Sequence, residues 1–503
     1  MYRLFLFLAL LILSAQTRAQ SSSDVLEDAL SGVVTVAVYQ TAGVSVRPLG
    51  VRGRTVNPEQ AYAKALSLAG AKSSGSGFVI ELNGQKYVLT NAHVVESATD
   101  AAGSLAVFSI NQQKYPVRVV GGDALYDFAV LAFTTPPGPE LTALPLRSAP
   151  ARIGERVYAI GNPQGEYPYT VTDGIISAKN RIRGGLTGKF GFLQTTATVI
   201  WGNSGGPLVD ERGAVLGINS QIAFANGPNG SSVWLSQINF ALETSVVLRL
   251  LNDVLTNDGL VRRAYLGLEF SETTRISDDD ERPQATTTQP VPVLSGILPD
   301  SPGKEVLKGY VGQTVTAING EGVRNVQEVL GILETVRPGS KVALTFGHGP
   351  SATTVSVKSS TLTPVELESV ARYVLTSNRL SLTEAPDGIA IRFMQNNNTY
   401  ELDRERRYQK TPAGFGQKQI ASPSANTPRA VTYRVVAAGI QSERGSKLWR
   451  VSKLSYLGAV CRLMGLSGVV DMAVADPDNP DDVRFTRHML SGEQDVIKAC
   501  LWY

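Results

Sequence analysis

The sequence predicts a mainly β protein: a pair of β-barrels in its first half, then a small α+β unit, then an α+β C-terminal module. Three observations carry that reading. Residues 33–250 are a succession of short β-branched and apolar runs set off by turn signals, the pattern of barrels built from many strands. Glycine is abundant, at 48 of 503 residues, as tight connections between short strands require. The length suits about three domains of roughly 150 residues each, and a composition of 43% hydrophobic and 18% charged residues excludes a largely disordered chain.

The elements follow in order. Residues 32–39 open with β-branched side chains, and 77–80 and 87–90 make a hairpin around Asn83-Gly84. Further strands are predicted at 117–120, 128–133, 157–160, 169–171 and 215–218. An insertion precedes Gly75, and its residues 58–66 read as a helix entered through Pro58. A second unit spans 263–362, with a helix expected at 326–333. Residues 363–408 form an unassigned connection, with a helix at 365–375 and a strand at 389–393. Residues 409–430 are rich in Gln, Ser, Thr, Pro, Lys and Gly and read as a flexible linker or loop. A C-terminal module occupies 431–503.

The N-terminus reads as an export signal over residues 1–19. Arg3 starts it, residues 4–13 are apolar but too few to span a bilayer, and Ala19 ends a small-residue cleavage site. No membrane span is expected in the mature form. Removing Arg3 and Arg18 takes the formal charge from +3 to +1, a balance that argues against nucleic acid as partner. The two cysteines, Cys461 and Cys500, both lie near the C-terminus. In an exported chain an even pair predicts one disulfide, with two buried free thiols as the alternative.

The chemistry concentrates in three short stretches. In Gly202-Asn203-Ser204-Gly205-Gly206 a serine sits on a glycine-rich turn, where its Oγ can be exposed and backbone N–H groups can converge. A serine hydroxyl needs a base. Of the three histidines, only His93 follows a strand in the barrel region; His348 lies in a Gly-His-Gly-Pro turn and His488 in the C-terminal module. Asp127, directly before the 128–133 strand, is the carboxylate placed to orient His93. Asp123, after two glycines, reads as a turn cap. The oxyanion donors are expected to be the N–H groups of Gly202 and Ser204.

The order His, Asp, Ser, with Thr90-Asn91-Ala92-His93, Asp127-Phe128-Ala129-Val130-Leu131 and Gly202-Asn203-Ser204-Gly205-Gly206-Pro207, resembles the chymotrypsin-type serine proteases. More narrowly it resembles the HtrA family of periplasmic proteases with PDZ domains. The resemblance covers roughly residues 30–360. It implies a chymotrypsin-like double β-barrel over 24–258 and a PDZ domain over 263–362, in which Tyr265-Leu266-Gly267-Leu268 offers N–H groups to a terminal carboxylate and an edge to an added strand. It places the primary specificity pocket at Thr198 and at Ile218, Asn219 and Ser220. No acid lies in 195–201, so a buried Lys or Arg would stay unpaired and aliphatic residues fit better. Trp201, where the family carries proline, and Gln313, where it carries an acid, are departures. Asn203 replaces the acid with which digestive relatives pair a new N-terminus, so that route of activation is not expected.

The reading is therefore an exported serine endopeptidase, periplasmic or otherwise secreted, that cleaves unfolded or misfolded envelope proteins and recognises C-terminal peptides. The rival is a chaperone-like or peptide-binding PDZ protein with little proteolysis. No cofactor or metal is expected. The Asp476-to-Asp482 run lacks the glycine and distal glutamate of a calcium loop. Homo-oligomerisation stays open, because residues 20–31 lack the aromatic residues that lock the family's trimers.

Overall fold

The structure is a computed structural model that describes residues 21–39, 73–95, 98, 103–163, 167–181, 191–226, 232–273, 291–377, 380–385, 388–394, 407–411, 414–417, 430–442, 445–451, 453–465, 469–475, 482–489 and 497–503. The signal segment, the 58–66 helix and the 476–481 run lie outside the described residues. The chain divides into two compact units, with the break between Leu260 and Val261.

Among the described residues the first unit holds two closed six-stranded barrels. Strands β1 (Val33–Val38), β2 (Ser73–Leu82), β3 (Gln85–Thr90), β4 (Leu105–Phe108), β5 (Lys114–Asp123) and β6 (Phe128–Phe133) close in the order β1-β2-β3-β6-β5-β4. All its pairings are antiparallel, and β1 meets both β2 and β4. Val34, Val36, Val38, Val79, Val88, Val107 and Leu131 fill its core, the valines β-branched side chains that pack well on a pleated surface. The second barrel closes in the order β10-β11-β12-β9-β8-β7. Its strands are β7 (Arg156–Gly161), β8 (Thr170–Arg181), β9 (Phe192–Thr195), β10 (Pro207–Val209), β11 (Val215–Asn226) and β12 (Ser232–Glu243). Val157, Ala159, Ile176, Leu193, Leu208 and Leu216 form its core. This is the double barrel expected from the sequence.

Two helices of this unit escaped the sequence reading. Ser22–Leu30 carries a capping box, with Ser21 Oγ accepting from Asp24 N–H and the Asp24 carboxylate accepting from Ser21 N–H. Thr244–Thr256 buries Val247, Leu250, Leu251 and Val254, a helical stripe.

The second unit runs from Val261 to Tyr503 and joins what the sequence reading separated at 362/363. Its strands are β13 (Ala264–Tyr265), β14 (Leu268–Thr273), β15 (Val293–Ile297), β16 (Val315–Ile318), β17 (Glu321–Gly322), β18 (Lys341–Phe346), β19 (Thr353–Lys358) and β20 (Ser360–Thr361). The expected helix is present at Val326–Leu333, with Asn325 capping it through Glu328 N–H. A second expected helix spans Pro364–Ser377, against the predicted 365–375.

The C-terminal part builds one antiparallel sheet from β21 (Ser381–Ala385), β22 (Gly388–Met394), β23 (Arg407–Thr411), β24 (Gly414–Gln417), β25 (Ala430–Ser442), β26 (Gly445–Arg450), β27 (Val469–Ala475) and β28 (Asp482–Met489). Part of the expected 409–430 linker is thus strand: Gln409 pairs with Gly416 in β24 and with Asp482 in β28. Composition suggested a linker there, but cross-strand pairing decides. The last strand, β29 (Ile497–Trp502), stands outside that sheet and pairs with β14.

Cys461 and Cys500 are not bonded to each other; both are free and buried. The helix Leu454–Met464 does lie against the chain end, since a Cβ on Gly465 would meet the Cys500 carbonyl and the Trp502 ring. Cys461 serves as a small apolar residue in the cluster formed by Val370, Leu457, Val460 and Trp502, and the Cys500 Sγ is engaged with Ser271 Oγ at 3.4 Å.

Candidate active site

His93 follows β3 in the short helical turn Ala92–Val95, and Asp127 precedes β6. β3 and β6 are neighbours in the first barrel, with Thr90 opposite Ala129, so the two loops leave the same end together. The connection is pinned from both sides. Asn91 Nδ2 donates to the Asp127 carbonyl at 2.8 Å, and Thr90 Oγ1 donates to the Ser76 carbonyl at 2.7 Å. Asp127 has φ 56°, a left-handed conformation uncommon for a residue with a side chain. Asp123 caps the same loop by accepting from Tyr126 N–H at 2.9 Å, the turn role expected of it.

Asp127 is 2% exposed, and its carboxylate accepts hydrogen bonds from His93 and Ser220. His93 Nδ1 lies 2.7 Å from Oδ2, His93 N–H 2.9 Å from Oδ1, and Ser220 Oγ 3.0 Å from Oδ2. Those donors offset the cost of burying the charge. A carboxylate acceptor at Nδ1 requires the proton there and leaves Nε2 with its lone pair free, the tautomer a general base needs.

Ser204 sits on a turn clamped by its neighbours. Asn203 N–H donates to Ile200 O at 3.0 Å, Gly206 N–H to Asn203 O at 3.0 Å, and Gly205 N–H to Asn219 O at 2.8 Å. Ser76 of β2 grips the turn twice, its N–H on the Ser204 carbonyl at 2.9 Å and its Oγ on the Gly202 carbonyl at 2.7 Å. The same Oγ accepts from Asn162 N–H at 3.0 Å. Gly205 is required: at φ 87° a Cβ would lie 2.1 Å from the Ser76 carbonyl and 2.3 Å from Thr90 Oγ1. That crowding places the turn directly against the end of β3, beside His93. Among the described residues, the Gly202 and Ser204 N–H groups have no acceptor, and Ser204 Oγ makes no hydrogen bond to the ring. Such links often tighten only with substrate bound.

The expected pocket residues divide by role. The Thr198 carbonyl accepts from Thr172 Oγ1 at 2.7 Å. Ile218 is buried on β11 opposite Pro207 and Leu242. Asn219 brackets the serine turn with its main chain and donates Nδ2 to Pro207 O at 3.1 Å. Ser220 faces Asp127. Trp201 projects outward, 67% exposed. Sequence reasoning missed Ser76 and Asn91 as braces and gave Ser220 a pocket role only; Ser76 stood in Ser74-Gly75-Ser76-Gly77, small residues where close approach occurs.

In the second unit, the Tyr265-Leu266-Gly267-Leu268 stretch is engaged. Tyr265 Oη donates to Asp300 Oδ1 at 2.8 Å, and burial followed by that carboxylate raises its pKa. Ser301 Oγ donates to the Leu266 carbonyl at 2.6 Å. The N–H groups of Leu266 and Leu268 both point at the Tyr503 carbonyl oxygen, at 3.2 and 3.1 Å.

The chain is similar to known proteins. The family described as Trypsin-like peptidase domain matches residues 75–218, which contain His93, Asp127 and Ser204. A probable periplasmic serine endoprotease DegP-like from Halomonas elongata is 32% identical over 364 residues, covering 68% of this chain and 72% of that protein. The chain belongs to the HtrA-type serine endoprotease family. Protease Do-like 1, chloroplastic, from Arabidopsis thaliana is 33% identical over 299 residues, covering 57% of this chain and 63% of that protein, just under two thirds of its length. Among solved structures, "HtrA-type protease AlgW with tripeptide" aligns at 25% identity and a TM-score of 0.48, over 68% of this chain and 98% of that one.

Proposed function

We propose that this HtrA-type chain is an exported endopeptidase that hydrolyses peptide bonds of unfolded or misfolded envelope proteins through a Ser204 acyl-enzyme. The observation that carries the reading is the buried Asp127 carboxylate holding His93 by ring and backbone, beside a braced glycine turn that carries Ser204. His93 Nε2 takes the Ser204 hydroxyl proton as Oγ adds to the scissile carbonyl. The same proton passes to the departing amine, and the C–N bond breaks. Water then adds to the acyl-enzyme with His93 again as base, releasing the acid and restoring Ser204. Asp127 stabilises the imidazolium formed in each half. The Gly202 and Ser204 N–H groups, both without an acceptor among the described residues, face the developing oxyanion; one such donor is worth on the order of 10²- to 10³-fold in rate.

Residues 263–362 act as a PDZ-type peptide-recognition unit, supported by the N–H convergence at Leu266 and Leu268 and by the β14 edge facing the Val326–Leu333 helix. The relatives' periplasmic names support an envelope location. Digestion of unfolded casein, compared with Ser204→Ala, tests the reading: the wild type is expected to degrade casein and the variant to leave it intact. Equal degradation by both would discard it.

A further inference from the structure

The strand-accepting edge of β14 is occupied. β29 pairs with it antiparallel, Trp502 opposite Glu269, Leu501 opposite Phe270 and Cys500 opposite Ser271. The pairing continues beyond the strand: Tyr503 N–H donates to the Leu268 carbonyl at 2.9 Å, and the Tyr503 carbonyl oxygen takes the N–H groups of Leu266 and Leu268. Those are the donors the sequence offers to an incoming peptide. Gly267 lets the stretch turn here, at φ 64° and packed so closely on Ser301 that a Cβ would lie 2.6 Å from its Cα.

We propose that the groove between β14 and the Val326–Leu333 helix carries its own chain as resident ligand, residues 497–503, and that any other extended peptide binds there by displacing them. This rests on the peptide-recognition reading of 263–362. Three features favour a seated ligand over an ordinary sheet strand. First, among the described residues, β29 pairs with no strand other than β14 and takes no part in the eight-stranded sheet. Second, alternate residues read the two walls, as in β-strand addition. Tyr503, on the helix side, donates its hydroxyl to the Leu333 carbonyl at 2.8 Å, and Trp502 Nε1 donates to Glu269 Oε2 at 3.2 Å on the other side. Third, the segment is clamped by a side chain 40 residues away. Arg462 donates Nε to the Trp502 carbonyl at 3.0 Å, lies 4.5 Å over the Tyr503 ring and binds Glu334 through Nη2 at 3.3 Å. A competing peptide of matching chemistry is extended and presents a phenol where Tyr503 sits, with an apolar residue two positions before it.

The test uses the full chain in a Ser204→Ala background, so that it cannot cut itself, with the recognition sequence of a site-specific protease inserted between Met489 and Ile497. The probe is a fluorescent peptide of the sequence Ile-Lys-Ala-Cys-Leu-Trp-Tyr. The intact protein is expected to bind it at least about ten-fold more weakly than the nicked protein, which exchanges its own segment for the probe. A probe with alanine in place of tyrosine is expected to bind the nicked protein several-fold more weakly, the scale of one lost hydrogen bond and ring contact. Equal binding by intact and nicked protein overturns the proposal, as does a nicked protein that keeps 497–503 against excess probe. If the nicked protein takes up unrelated extended peptides but not this one, the resident-ligand inference falls and peptide recognition stands; if it takes up none, both fall. Should nicking unfold the protein, amide exchange in the intact chain decides: Leu266 and Leu268 N–H groups are expected to be protected and to exchange about ten-fold faster in Tyr503→Ala, and unchanged rates overturn the proposal.

Discussion

Asp127 holds His93 at two points, its Oδ2 2.7 Å from the ring Nδ1 and its Oδ1 2.9 Å from the backbone N–H. The ring is therefore fixed in both tautomer and position, and Ser220 in turn holds the carboxylate. Asp127→Asn is expected to lower kcat/KM on a small peptide on the order of 10³- to 10⁴-fold. Ser220→Ala, which removes one donor from the same carboxylate, is expected to cost about ten-fold. Steady-state kinetics with circular dichroism as a folding control checks both. A Ser220→Ala loss as large as that of Asp127→Asn would contradict the ordering.

The serine turn depends on the absence of a side chain at 205. Gly205→Ala combines a left-handed backbone with contacts of 2.1 and 2.3 Å to Ser76 and Thr90. It is expected to abolish cleavage and to destabilise the first unit by about 2–4 kcal/mol, read as a lower urea midpoint. Ser76→Ala keeps the backbone grip but releases the Gly202 carbonyl and Asn162 N–H. It is expected to reduce kcat with KM little changed.

How much of this was legible follows from how local each signal is. His93, Asp127 and Ser204 each announce themselves within five residues, because strand ends and glycine turns carry their own sequence chemistry. Asp123 was readable as a cap for the same reason. β10 is three residues long and opens with proline, and β9 is only Phe192–Thr195; neither has enough residues to show a period, and both exist because neighbouring strands need partners. The Thr244–Thr256 stripe was present and was missed. The occupant of the β14 edge had no local signal at all: Leu268 and Tyr503 are joined by folding across more than 200 positions. The disulfide expectation failed because compartment and parity say nothing about geometry, whereas Cys500 turns toward Ser271.

Cleavage is expected after Val, Ala or Ile. The stretch 195–201, where the resemblance to the HtrA family places the specificity pocket, carries no acid, so a Lys or Arg bound there would be buried without a partner. Mass-spectrometric mapping of casein fragments checks it, and a majority of cuts after Lys or Arg would refute it.

Burial pushes the Cys461 thiol up to about 12, and burial followed by the Glu269 charge raises Cys500 well above its ordinary value. A raised folded pKa favours the neutral thiol. The associated stability is intact below the ordinary value of 9.0 and is lost as pH rises beyond it, by about 1.4 kcal/mol per pH unit and thiol. The urea midpoint is therefore expected to fall between pH 9 and pH 11. At pH 8 iodoacetamide is expected to label neither cysteine in the native protein and both in denaturant without reductant. Thiols that stay unlabelled in denaturant would show a bond.

The central claim is that Ser204 is a nucleophile activated by His93. Labelling with a fluorophosphonate, followed by intact mass and peptide mapping, tests it most directly. One adduct per chain is expected, on Ser204, and none on Ser204→Ala or His93→Ala. Casein cleavage by a preparation in which Ser204 carries no adduct, or labelling of His93→Ala at the wild-type rate, would contradict the account.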